Sequence, residues 1–147
     1  MGQRIMGTQT TMEPTIDPRY VQVEGIGYVH YVTAGQGPPL VLLHGLSTSY
    51  ITWYENISAL SEEYTVYVPD LPDHGDTAKP DIAYSLETGD AFIQRFLDAL
   101  GLDKVVFIGN SIGGLLGWVA ARRPVSARRM SSEIRVRTLL RRAPNGN

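Results

Sequence analysis

The sequence predicts an α/β fold, with an N-terminal β-hairpin followed by parallel strands that carry helices on both faces. Three observations lead there. After residue 39, short apolar runs alternate with helix-length segments, as strand, helix, strand, helix, strand, helix. The runs at residues 40–43 (LVLL) and 105–108 (VVFI) are continuous rather than alternating, which suits strands buried on both faces. The second run leads into GNSIGG and an apolar helix, the pattern of a serine on a tight strand-to-helix turn.

Residues 1–18 are polar, contain Pro14 and Pro18, and read as a flexible lead-in. Residues 20–23 start a strand, Gly25 and Gly27 make a turn, and residues 28–33 (YVHYVT) return as the second strand of the hairpin. A Gly-Pro loop leads to the strand 40–43, which ends in His44-Gly45. Residues 51–60 place Trp53, Ile57 and Leu60 on one helical face. Residues 64–68 (YTVYV) form the next buried strand, closed by Pro69, and the loop DLPDHGDT follows. Residues 86–100 form an amphipathic helix with Ile93, Phe96, Leu97 and Leu100 on its apolar side. Ser85 is its N-cap and Gly101 its C-cap. Residues 112–122 form the helix after the serine turn.

The chain has 147 residues, 43% of them hydrophobic, enough for one domain with a sizeable core. It contains no cysteine, which excludes a disulfide framework and a thiolate metal site. No apolar run approaches the length of a membrane span, and the first residues do not resemble a secretory signal, so the expected location is cytoplasmic. Charge is unevenly distributed. Residues 1–121 hold 5 Lys+Arg against 14 Asp+Glu, a net of −9, whereas residues 122–147 hold 8 Arg against 1 Glu, a net of +7. The shift marks a boundary, giving a core over 19–124 and an Arg-rich, divergent tail over 125–147. The tail has no interleaved aromatics and the core is acidic, so no nucleic-acid partner is expected.

The segment Gly109-Asn110-Ser111-Ile112-Gly113 fits G-x-S-x-G. Glycines on both sides let the turn close and present the Ser111 hydroxyl, and the helix start aims the Ile112 N–H at a substrate carbonyl oxygen. The plainer reading, a serine capping a helix, is outweighed by the strand before it and the helix after it. For His44, a role in holding its loop is preferred to that of a base. His74 sits in a turn-rich loop and is not assigned as a base.

LLHG, VPDLPDHGDT and VVFIGNSIGG, in that order and spacing, resemble the α/β-hydrolase superfamily over about residues 20–124. The resemblance implies a Ser-acid-His triad, an oxyanion hole, a small-molecule carbonyl substrate and no cofactor or metal. Carried onto this chain, Ser111 is the nucleophile, and the backbone N–H groups of Leu46 and Ile112 are the oxyanion donors. His44, Gly45, Gly109 and Gly113 are structural residues beside the site. The GNSxGG form is similar to that of hydrolases cleaving carbon–carbon bonds, though many esterases share it. A serine rather than an aspartate argues against a haloalkane dehalogenase. Asp73 stands where the family has glycine, and Thr77 where it has serine.

In that family the acid and the histidine follow the nucleophile. Here His30, His44 and His74 all precede Ser111, and Glu133 is the only carboxylate after it. The sequence therefore predicts an incomplete hydrolase fold with impaired catalysis; the alternative is a non-catalytic homologue acting as a binding or interaction module. The abrupt rise in Arg after Pro124 suggests a shifted reading frame, or else a native basic tail. The strand 105–108 is expected to form an open sheet edge, with pairing between two copies as one way to cover it.

Overall fold

A computed structural model describes residues 15–122 and 137–138. Its elements are β1 (Asp17–Val23), β2 (Gly27–Ala34), β3 (Pro39–Leu43), a 3₁₀ turn (Tyr50–Trp53), α1 (Tyr54–Leu60), β4 (Thr65–Pro69), α2 (Leu86–Leu100), β5 (Val106–Gly109), α3 (Ile112–Arg122) and β6 (Arg137–Thr138). The sheet order is β1-β2-β4-β3-β5-β6. β1 and β2 form the predicted hairpin, closing at Val23 opposite Gly27. β2 runs antiparallel to β4, whereas β3 lies parallel to both β4 and β5. Placing β3 between β4 and β5 makes it an interior strand, and Val41, Leu42 and Leu43 are wholly buried.

Helices cover both faces, as the alternation predicts. On one face α2 and α3 pack Phe92, Phe96, Leu116 and Ala120 against Val29, Val41, Leu43 and Phe107. On the other, Trp53 and Ile57 close over Leu40, Leu42, Val66 and Val68. α2 has the predicted bounds. Its N-terminus carries a capping box, with Ser85 Oγ accepting from Thr88 N–H and Thr88 Oγ1 accepting from Ser85 N–H. Its C-terminus ends at left-handed Gly101. The helix expected over residues 51–60 is split, because Ser49 caps a tight 3₁₀ turn before α1 begins.

Two boundaries differ from expectation. β1 begins at Asp17, inside the segment read as lead-in, because Asp17 and Pro18 pair with Thr33 and Val32 at the sheet edge. β5 is not a fully open edge: Ile108 and Gly109 pair in parallel with Arg137 and Thr138. That pairing gives those two residues of β5 a ladder partner on their outer side. The remainder of the Arg-rich tail lies outside the described residues. Among the described residues, no helix is long and apolar enough to cross a membrane.

Candidate active site

The turn from β5 to α3 places Ser111 at its tip, exposed and in left-handed backbone at φ 55°. That conformation costs a non-glycine residue energy, so the surroundings must hold it in place. They do so with backbone bonds: Asn110 N–H donates to Leu43 O at 3.0 Å, and Gly113 and Gly114 N–H donate to Asn110 O and Ser111 O at 3.0 Å each. The flanking glycines are sterically required. A Cβ on Gly109 would overlap the backbone of Gly113 and Gly114, and one on Gly113 would overlap the carbonyls of Leu43 and His44.

The loop after β3 lies against this turn. A Cβ on Gly45 would stand 3.3 Å from Ser111 Cβ and 4.0 Å from its Oγ. Leu46 follows and is 65% exposed. Ile112 opens α3, where first-turn N–H groups have no partner within the helix. Leu46 follows the end of β3 and Ile112 the end of β5, the two strands that pair side by side.

His44 is completely buried and ties its loop to the one after β4. Its Nδ1–H donates to Gly45 O at 2.7 Å, and its Nε2 accepts from Leu71 N–H at 2.9 Å. Both ring nitrogens are occupied, which leaves it no role as a base. Burial holds its pKa below the ordinary value of 6.5, with the Gly45 carbonyl partly opposing that shift.

A second clamp was not legible in the sequence. Asp70, buried beside Leu71, accepts from Tyr50 N–H at 2.7 Å, from Asp76 N–H at 3.1 Å and from His30 Nδ1–H at 2.8 Å. Asp70 and Leu71 thus grip the two ends of the loop between β3 and the 3₁₀ turn. A polar residue after a buried strand was visible in the sequence; its partner on β2, forty residues earlier, was not.

Both departures from the family loop are accommodated. Thr77 keeps the hydroxyl that serine would supply: Oγ1 donates to Asp70 O at 2.8 Å and accepts from His30 N–H at 2.9 Å. Asp73 adopts left-handed backbone at φ 64°, a conformation aspartate tolerates, and accepts from Tyr84 OH at 2.7 Å. That hydrogen bond raises the Tyr84 pKa. His74 Nδ1–H donates to Pro72 O at 2.9 Å.

A cavity of about 490 Å³ opens beside the turn, lined by both Leu46 and Ile112 together with Leu71, His74, Ile82, Tyr84, Phe92 and Leu116 among others. Its size suits a small organic molecule.

Comparison with known proteins places these features in context. Residues 38–135 match the family model described as the alpha/beta hydrolase fold. The chain is 44% identical over 96 residues to a soluble epoxide hydrolase of Corynebacterium sp. (strain C12), covering 65% of this chain and 34% of that protein. It is 36% identical over 103 residues to a 2-hydroxy-6-oxo-6-(2'-aminophenyl)hexa-2,4-dienoic acid hydrolase of Metapseudomonas resinovorans, covering 67% of this chain and 35% of that protein. Among solved structures, a membrane phospholipase A described as a bacterial virulence factor superimposes with a TM-score of 0.70 at 31% identity, over 74% of this chain and 36% of that one. The chain spans about a third of the length of each of these proteins.

Proposed function

This chain belongs to the alpha/beta hydrolase fold family, and on that premise we propose that it carries the nucleophile half of a serine hydrolase acting on carbonyl compounds. The observation that carries this is Ser111, exposed at φ 55° between two glycines that cannot bear a side chain. In the reaction, Ser111 Oγ adds to the carbonyl carbon and its proton passes to a base. The carbonyl oxygen takes negative charge against the N–H groups of Leu46 and Ile112, the leaving group departs with its electron pair, and water then cleaves the acyl ester. An epoxide would not serve as well. Opening one with a serine oxygen forms an ether, which has no carbonyl for water to attack. Ser111 therefore favours the carbonyl chemistry named for the dienoic acid hydrolase and the phospholipase over that named for the epoxide hydrolase.

Within the described residues no base is placed on Ser111. All three histidines precede Ser111; His44 has both ring nitrogens occupied, His30 Nδ1 is held by Asp70 and His74 Nδ1 by Pro72 O, and among the described residues none of them hydrogen-bonds Ser111. These 147 residues, acting alone, are proposed to turn over slowly, by roughly 10⁴ to 10⁶ relative to a complete triad. The same observation favours a second reading, a non-catalytic homologue that binds without turnover.

A fluorophosphonate probe with intact-mass detection tests the nucleophile. Slow, stoichiometric labelling that Ser111→Ala abolishes supports it, and labelling at another residue, or none at all, removes it. Ester turnover at the rate of a complete triad would contradict the impairment.

A further inference from the structure

The cavity beside Ser111 has a chemical character that the reaction class alone does not specify. Among its described wall residues there is no Asp, Glu, Lys or Arg. Its hydroxyls are committed elsewhere. Ser85 Oγ and Thr88 Oγ1 are locked into the capping box of α2, with Thr88 also donating to Ala83 O at 2.7 Å, and Tyr84 OH donates to Asp73. His74 holds one ring nitrogen on Pro72 O. What remains is the second ring nitrogen of His74 and an apolar wall of Leu46, Ile82, Phe92, Ile112 and Leu116. An anion entering it would lose hydration and meet no Lys or Arg among the described wall residues.

One wall contact depends on a missing side chain. Gly89, inside α2, faces Leu116 of α3, and a Cβ on Gly89 would overlap the Leu116 side-chain methyl. The overlap is with the flexible end of a leucine, so a side chain at residue 89 would have to displace Leu116, itself a wall residue, rather than backbone.

We propose that this cavity receives the uncharged, apolar acyl portion of a carbonyl substrate, and that Gly89 and Leu116 together limit the size of group it admits. The proposal rests on Ser111 being the nucleophile.

The test uses the 147-residue chain with ¹³C-labelled leucine methyls, titrated with acetophenone and, separately, with benzoate, a carboxylate of similar size. Acetophenone is expected to shift the Leu46, Leu71 and Leu116 methyls and to bind at least about tenfold more tightly than benzoate. Gly89→Ala is expected to weaken acetophenone about tenfold. Leu86→Trp, at a wall position 41% exposed, should do the same without disturbing the core. Equal binding of benzoate overturns the proposal, as does acetophenone binding that neither variant alters. Fluorophosphonate labelling keeps the two ideas apart. Labelling of Ser111 without acetophenone binding refutes the cavity assignment alone. Acetophenone binding without labelling refutes the nucleophile, and with it the acyl role of the cavity.

Discussion

Leu71 donates its backbone N–H to His44 Nε2 at 2.9 Å, joining the loop after β4 to the loop after β3. The neighbouring Asp70 carboxylate holds Tyr50 N–H at the far end of the same loop. Leu46, the expected oxyanion donor, lies between these two anchors, so its position is set from both ends of the loop. His44→Ala should cost about 2–4 kcal/mol, combining a cavity with two stranded buried backbone groups. Urea denaturation measures the loss, and a change under about 0.5 kcal/mol would show that the clamp contributes little.

The same histidine makes stability depend on pH. Its folded pKa lies below 6.5, so the unfolded chain takes up the proton more readily. The contribution of His44 is therefore complete above that value and is lost as pH falls below it, until the folded form also protonates. The difference in unfolding free energy between the parent chain and His44→Ala should shrink steadily from about pH 7 toward about pH 5. A difference that grew on acidification would show the sign to be wrong.

Ser111 holds a backbone conformation that suits glycine. Ser111→Gly should raise stability by about 0.5–1 kcal/mol while abolishing fluorophosphonate labelling. Thermal unfolding of the two proteins decides the point, and a less stable glycine variant would mean that the serine side chain contributes packing unrelated to reactivity.

Gly113→Ala tests the opposite side of the turn. The added methyl would overlap the carbonyls of Leu43 and His44, neither of which can move without shifting β3. A loss of at least about 2 kcal/mol is expected, together with loss of labelling. Near-native stability would show that the turn has room that the backbone positions do not suggest.

Thr77 separates hydroxyl from shape. Thr77→Val keeps the volume but removes both hydrogen bonds of the buried Oγ1, at a cost of about 2–3 kcal/mol, whereas Thr77→Ser should remain within about 1 kcal/mol of the parent. Equal losses in the two variants would assign the role to the methyl group instead.

Much of this architecture was readable from local pattern. The limits of α2 and α3, the hairpin and the three buried strands follow from periodicity, capping residues and continuous apolar runs, each encoded within a few neighbouring residues. GNSIG announced its turn because the motif's residues are contiguous in the chain. The sequence alone also determined that all three histidines precede Ser111, which no folding can change. Tertiary structure decided the rest. It set β3 between β4 and β5, brought β6 onto two residues of the predicted open edge, and joined His30 to Asp70 across forty residues. It also brought Gly89 against Leu116 to shape the cavity wall. These are contacts between distant segments. They depend on how helices and strands pack against one another, and a pattern of neighbours along the chain carries no direct record of that packing.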